Sequence, residues 1–557
     1  MNADLFVNTL SVIDQNWKVI LAILAFVFWG VTLVFAVLKK ISNQNFTDME
    51  LITLAMGGWP VPALLFSVVM LLFRAIVPET IFFIIAAMFI LVPAGFAIHA
   101  LWKDVSFKCV FILLLFFIFI FIRIGFVANI TLPSYFDSAE HYRIIDYFLK
   151  IQSPSRFMWP TASYYHVGYH VIVAAFVSIT RANIGQAMLL FGQIVLAAIP
   201  FPLYFFVHRA VNSHAAAFLA VMLAAFGWFM PAHAVNWGKY PALLSLLLVQ
   251  FTLGIAVVKN RLLLALSLFA STLIHSRSII LLGVFGVAWV LSYQLRANRK
   301  LLLMIGMAVL LGTAVVLMDK NKTFGPVFEP YRIWITLLVI LLSVSAARSF
   351  SRLISFSILA LFGMLTVSLI PIANAYTLLD RPLVEMILFL PLAFLGGVGA
   401  SRLPKAAMLL FAVIIIFNAF TRYNFSPSDC CQLVARDDRI ALDWMDRQLP
   451  ADARIVIAGA DLNIDSFSAP MQGTGTDAGI WIMPLSGRVV TSLPYFTDFG
   501  SQEIYQSLCQ QQVTHIYVGS RPQSFQTDFF QARSVWYEVI FHLPDTQIIR
   551  VLGCGVE

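Results

Sequence analysis

Fifteen apolar runs of 14 to 24 residues occupy the first three quarters of this 557-residue chain. A helix needs about 20 apolar residues to cross the roughly 30 Å core of a bilayer. Hydrophobic residues make up 60% of the chain and the mean hydropathy is +0.87, more than a soluble core requires. The sequence therefore predicts a polytopic α-helical membrane protein. The runs fall at 17–39, 50–73, 80–101, 107–128, 166–181, 185–207, 213–229, 239–258, 262–275, 278–295, 301–318, 331–348, 352–371, 382–399 and 404–421.

The first run is predicted to span the membrane rather than to act as a cleaved signal. Val19 to Leu38 is about 20 residues long and has no small-x-small cleavage site after it.

The charge divides the chain into two predicted domains. From Asn424 onward there are eight Arg, no Lys and fifteen acidic residues, a balance of −7, so the first 423 residues carry +15. Basic residues at helix ends indicate lipid headgroups as partners, not nucleic acid. We predict a transmembrane domain over 1–423 and a soluble, extracytoplasmic α/β domain over 424–557.

The tail has the pattern of a small α/β domain. "DDRIALDWMDRQLPADARIVIAG" predicts a helix over 437–448 and a strand over 454–458, and "THIYVGS" and "SVWYEVIFHLPDTQIIRVL" predict further strands. The Gly-rich "GTGTDAGIWIMPLSGR" lacks phosphate-loop spacing and is expected to be a loop over the membrane domain. Disulfide pairing stays open: Cys430 or Cys431 could join Cys509 or Cys554, while no spacing indicates zinc.

The positive-inside rule orients the runs. Basic residues predicted on the cytoplasmic side are Lys39, Lys40, Lys103, Lys108, Lys259, Arg261, Arg296, Arg299, Lys300, Arg348, Arg352, Arg402 and Lys405. The loop 129–165 and the tail are then external. If all four runs between 165 and 259 crossed, Lys259 would lie on the external side, so one of the four cannot cross. The shortest of them, 166–181, is assigned as re-entrant. The prediction is about fourteen crossings plus one half-helix.

With this topology, most of the unusual polar residues converge on the external side. An ionised group in hydrocarbon costs roughly 2.5–3.5 kcal/mol, so such groups usually face a cavity or each other. We therefore predict a shared external cavity. The residues are Asp137, Glu140, His141, His166, His170, Lys239, His275, Arg277, Asp380 and Arg381.

The stretch "LPSYFDSAEHYRIIDYF" (132–148) has two interpretations. In the first, Asp137 and Glu140 form a D-x-x-E capping box that starts an amphipathic surface helix over 138–150. In the second, Asp137 is a carboxylate at the lipid–water boundary that accepts a proton from a hydroxyl group. His141 lies one turn further on and could orient such a base.

A long external loop with an acid soon after a spanning helix, followed by an interfacial helix, resembles the GT-C superfamily of membrane glycosyltransferases. "YYHVGYHVIVAAF", "NWGKYPALLSLLL", "LIHSRSIILL", "LLDRPLVEMILFLPLAFLGG" and "ALDWMDRQLPADARIVI" are similar to later segments of bacterial GT-C-like proteins. The likeness spans most of the chain from about 107 onward. The chain differs from the usual pattern in its three leading helices, where GT-C proteins usually have a single helix before the loop.

The resemblance implies transfer of a sugar from a polyprenyl-phosphate donor to an acceptor hydroxyl at the outer face of a bacterial cytoplasmic membrane, with inversion at the anomeric carbon. It implies Asp137 as base, supported by Glu140 and His141, and Lys239, Arg277 and Arg381 as cations for the phosphate. His166, His170, Tyr240, His275 and Asp380 are expected to line the substrate site. The chain has no DxD motif, so a divalent metal is not supported.

Each assignment has a simpler alternative. Arg277 could extend to headgroups, Arg381 could pair with Asp380 or Glu385, and Lys239 could be an interfacial anchor. His166 and His170 have i, i+4 metal-ligand spacing but no third ligand in sequence.

Two other functions share the many helices and the outer loop. A lipid-linked glycan transporter or flippase would place polar groups near the midplane of repeated halves, and no such repeat is found. An O-antigen-type polymerase or ligase predicts a ladder of products, whereas a monosaccharide transferase gives one defined product.

Overall fold

The structure is a computed structural model that describes residues 3–42, 46–102, 107–151, 166–295, 331, 333–373, 376–422, 427–464 and 472–554. In this part of the chain, six helices are long and apolar enough to cross a membrane, and eight shorter helices are also apolar. The protein is thus mostly helical, with a small sheet near the C-terminus.

The described helices of the predicted membrane domain follow one another in chain order. They are α1 Ala3–Ile41, α2 Asp48–Gly58, α3 Pro60–Arg74, α4 Glu79–Trp102, α5 Phe107–Ile124, α6 Phe136–Lys150, α7 Gly168–Thr180, α8 Ile184–Ala198, α9 Pro202–Val211, α10 His214–Phe226, α11 Tyr240–Val258, α12 Arg261–Ile274, α13 Ser278–Leu295, α14 Ile333–Val367, α15 Arg381–Ile387, α16 Phe389–Ala400 and α17 Lys405–Arg422. Two short strands, β1 Pro371–Ala373 and β2 Tyr376–Thr377, pair between α14 and α15.

Fourteen of the fifteen predicted apolar runs coincide with helices. The remaining run, 301–318, lies outside the described residues. Among the described residues, six helices rather than the predicted fourteen meet the length and hydropathy needed to cross. The long helix α14 bends at Phe350, whose backbone is non-helical. At 13 residues and about 1.5 Å per residue, α7 is about 20 Å long, shorter than the roughly 30 Å hydrocarbon core.

The starts of α6, α7, α11 and α15 and the end of α12 lie close together, and we call this part of the bundle the site end. Elsewhere in the bundle, Arg209 at the end of α9 lies over the Phe46 ring at 4.7 Å, next to the start of α2. Arg352 of α14 lies over the Trp289 ring of α13 at 4.0 Å.

The C-terminal segment forms the predicted α/β unit. Its elements are α18 Arg436–Gln448, β3 Arg454–Ile464, β4 Gln472–Gly475, α19 Ile482–Ser486, β5 Val489–Pro494, α20 Gln502–Gln510, β6 His515–Val518, α21 Asp528–Ala532, β7 Tyr537–Leu543 and β8 Thr546–Val551. The sheet order is β4-β3-β6-β8-β7, and β5 also pairs with β3. β3, β5 and β6 are parallel, whereas β7 and β8 form an antiparallel hairpin.

The Gly-rich segment 473–488 is not the predicted loop. It contributes β4, a 3-10 turn over Ala478–Trp481, and α19. The turn buries Trp481 completely and brings its ring against Tyr142 of α6, with centroids 5.7 Å apart. Burial of an indole of this size fixes the segment against both units. The expectation that it lies over the membrane domain agrees with this contact.

The disulfides do not follow the pairing considered from the sequence. Cys509 at the end of α20 bonds Cys554 beyond β8, and Cys430 bonds its neighbour Cys431. The first pair forms because α20 ends beside the last strand, which brings the two Cα atoms to 5.0 Å.

Candidate functional site

The start of α6 presents Asp137 to the inside of the site end. The helix begins at Phe136, and its N-cap residue is Tyr135, with φ +68° and no side-chain cap. The predicted capping box is therefore wrong: Asp137 lies within the first turn, and Glu140 forms an ion pair with Arg143 at 3.0 Å. Asp137 instead forms an ion pair with Lys239. A tertiary partner for the carboxylate outweighs the local cap.

Lys239 is positioned by the turn that leads into α11. Gly238 has φ +65°, and a Cβ at this position would lie 2.4 Å from Ser138 Oγ and 3.0 Å from the Ser138 nitrogen. Only glycine combines this backbone conformation with so close an approach to α6. The glycine therefore sets the contact between the two elements that carry Asp137 and Lys239.

A second ion pair joins α12, α13 and α15. Arg277, in the connection after α12, lies 2.8 Å from Asp380, the N-cap residue of α15. Asp380 does not cap the helix with its side chain, because the carboxylate faces Arg277 instead. Arg381 is exposed at the start of α15. The alternative pairing of Arg381 with Asp380 is thus replaced by a partner from another element.

The four predicted histidines form two pairs. His141 Nδ1 lies 3.0 Å from His170 Nε2, and both side chains are buried. His166 and His275 have ring centroids 4.5 Å apart. Within the described chain no group of three or more His, Cys, Asp or Glu side chains could hold a metal ion. The i, i+4 spacing of His166 and His170 serves two different contacts rather than one ion.

Burial and neighbouring charges determine the protonation states of Lys239, His275 and His141. Burial lowers the pKa of Lys239, but the Asp137 carboxylate and, more weakly, Asp380 raise it above its usual value. Burial, together with the positive charges of Arg277 and Lys239, lowers the pKa of His275 to about 3. Burial likewise holds the pKa of His141 well below its usual range. At neutral pH Lys239 is therefore charged, while these two histidines are neutral hydrogen-bonding groups.

The two ion pairs belong to one electrostatic unit. Lys239 interacts with Asp380 as well as Asp137, and His275 interacts with both Lys239 and Arg277. The exposed fractions of the four paired side chains lie between 19% and 32%. They are therefore shielded but reachable. We call Asp137, Lys239, Arg277 and Asp380 the charged cluster.

Two of the predicted residues lie apart from this cluster. Glu140 faces Arg143 on its own helix. Tyr240 is fully buried, stacks near Tyr169 at 6.1 Å, and fills the space that Gly192 leaves open. Both contacts are structural.

Sequence reasoning missed the segment that joins the C-terminal unit to the site. The Tyr135 amide donates to the Cys431 carbonyl oxygen at 2.9 Å, and the Ser428 amide donates to Asn236 Oδ1 at 3.0 Å. These contacts lie two residues before Asp137 and three before Lys239. No spacing or motif could have revealed them, because they connect positions 192 or more residues apart.

The arrangement offers two carboxylates, two cations and neutral imidazoles at one end of an apolar bundle. Comparisons with protein-family models and with curated proteins return no match for this chain.

Proposed function

We propose that the protein is a membrane glycosyltransferase of the GT-C type that uses a polyprenyl-phosphate sugar donor. The observation that carries the proposal is the charged cluster, in which the acid on α6 meets Lys239 beside a second cation, Arg277. Such a set fits a reaction that removes a proton and releases a phosphate. It lies where lipid and water meet in the proposed topology.

In this mechanism Asp137 accepts the proton of the acceptor hydroxyl as its oxygen attacks the anomeric carbon. The bond between that carbon and the phosphate oxygen breaks, and polyprenyl phosphate leaves with both bonding electrons. Lys239 and Arg277 offset the charge that develops on the leaving phosphate, and Arg277 suits phosphate oxygens because of its planar fork. Neutral His141 and His275 are available to hydrogen-bond sugar or acceptor hydroxyls.

The proposal includes fourteen crossings with α7 as the half-helix, and a C-terminal unit outside the cytoplasm. The positive-inside rule, applied to the basic residues of the sequence, supports this orientation. The Cys509–Cys554 bond supports it too, since disulfides persist in oxidising compartments. A bacterial cytoplasmic membrane is the proposed location.

The test compares Asp137→Asn with Glu140→Gln. Both remove one charge from the same helix, three residues apart, but only Asp137 belongs to the charged cluster. Membranes containing each variant are supplied with a radiolabelled polyprenyl-phosphate sugar, and transfer of label to acceptor is measured. We expect Asp137→Asn to lose transfer by about 10²–10⁴-fold, the usual contribution of a general base, and Glu140→Gln to retain it. Equal activity of both variants would remove Asp137 from the mechanism.

A further inference from the structure

Both cations of the charged cluster are already neutralised by a carboxylate. Lys239 is held by Asp137, and Arg277 lies 2.8 Å from Asp380. A donor phosphate can use these cations only by competing with the carboxylates. The proposed mechanism therefore needs an exchange of partners, and the structure shows which exchange is available.

The Arg277–Asp380 pair is the weaker of the two in geometry. Asp380 Oδ1 is buried, yet it accepts no hydrogen bond from the described residues despite its short ionic contact with Arg277. A phosphate can place two oxygens opposite the guanidinium fork and satisfy it fully. Exchange at Arg277 thus replaces a misaligned contact with an aligned one.

The geometry points to Asp380 as a counter-ion that holds Arg277 when no donor is bound and releases it to an anionic lipid phosphate. This inference rests on the proposed function and names the group that regulates its phosphate site. When the phosphate takes Arg277 and Lys239, Asp137 loses its ionic partner and becomes an unencumbered base. The site therefore makes its base available only when a donor is present.

Asp380→Asn is the matched perturbation. Asparagine is as good an N-cap residue as aspartate, so the start of α15 is preserved while the counter-charge is removed. Arg277 is then free for phosphate without competition. We expect Asp380→Asn to bind a polyprenyl monophosphate about two- to fivefold more tightly than the wild type, as loss of a partly exposed competing ion pair implies. Asp380→Glu retains the charge and should bind like the wild type.

The experiment measures binding of polyprenyl monophosphate to the full chain in detergent by titration calorimetry. Thermal unfolding of each variant is recorded in parallel. Inorganic phosphate serves as the second ligand, and it should bind at least tenfold more weakly if the site takes a lipid-borne group. Arg277→Gln should weaken lipid phosphate binding in both the wild-type and the Asp380→Asn backgrounds.

Unchanged or weaker binding by Asp380→Asn would overturn the inference, and so would equal tightening by Asp380→Glu. Tighter binding of inorganic phosphate alone would overturn its assignment to a lipid. The outcome is separate from that of the transfer assay. If transfer occurs but Asp380→Asn does not bind more tightly, only the counter-ion inference fails. If binding tightens but no sugar is transferred, the proposed function fails and the lipid phosphate site remains.

Discussion

Gly238→Ala should disable the site without removing any charged group. The added Cβ would lie 2.4 Å from Ser138 Oγ, 3.0 Å from the Ser138 nitrogen and 3.2 Å from the Ser134 carbonyl oxygen. Ordinary contact begins at 3.4 Å, so the turn and α6 must separate by about 1 Å while Ser138 keeps its hydrogen bond to the Ser134 carbonyl oxygen. If the Ser138 side chain rotates, the two backbone contacts still require a separation of a few tenths of an ångström. The movement draws Lys239 away from Asp137.

Gly238→Ala should affect both the stability of the fold and the rate of transfer. A positive φ costs a non-glycine residue about 1–2 kcal/mol, and overpacking adds about 1–3 kcal/mol. A displacement near 1 Å at a reacting centre costs about 10²-fold in rate. Gly487→Ala is the matched control, because Gly487 has φ +70° but no atom within 4 Å of its added Cβ. This control keeps the backbone strain and omits the clash.

The assay is transfer from a radiolabelled polyprenyl-phosphate sugar, with hydrogen–deuterium exchange of the first turn of α6 as a readout independent of activity. Gly238→Ala should lose about 10²-fold in transfer and exchange faster at α6. Gly487→Ala should do neither. If the two variants lose the same activity, or if α6 is unaffected by Gly238→Ala, the reasoning about this contact is refuted.

Three further predictions concern stability. Replacing Cys509 and Cys554 by serine should lower the free energy of unfolding of the C-terminal unit by about 4 kcal/mol, because the bond closes a loop with a sequence separation of 45; a denaturant titration with unchanged midpoint would contradict this. Burial raises the pKa of Asp477 from 3.8 to about 7, so the folded state holds a proton that the unfolded state lacks between these values. The contribution of Asp477 is therefore fully present below pH 3.8 and is lost as pH rises through 7, by up to about 4 kcal/mol, and amide exchange in β3 should show this loss in the wild type but not in Asp477→Asn. Glu50→Gln keeps the capping box of α2 but weakens the buried contact with His208 at 2.9 Å, and thermal unfolding should show a loss of about 1–3 kcal/mol; an unchanged midpoint would show that the contact contributes nothing.

Much of the architecture could be read from apolar periodicity. The helix observed at Arg436–Gln448 lies where the pattern predicted one, and β7 and β8 lie in the segment predicted to contain further strands. Hydropathy locates helices well because each apolar run must be buried or face lipid. It does not by itself decide which helices cross, since α7 and α12 are both apolar and only 13 and 14 residues long.

The sequence could predict which charged residues gather at the site, but not which carboxylate pairs with which cation. Topology alone placed Asp137, Lys239, Arg277 and Asp380 at one end of the bundle, and the structure brings them together. Which carboxylate meets which cation depends on the packing of α6, α11 and α15. Local rules favoured a cap at Asp137 and a neighbour contact at Arg381, and tertiary ion pairs replaced both. The vicinal Cys430–Cys431 bond was likewise not expected from spacing.

A structure of the full chain with a non-hydrolysable polyprenyl-phosphate sugar would test the central claim most directly. The account predicts the phosphate within hydrogen-bond distance of Lys239 and Arg277, with the anomeric carbon facing Asp137 and Asp380 separated from Arg277. A phosphate bound elsewhere, or an Asp137 carboxylate turned away from the sugar, would contradict it.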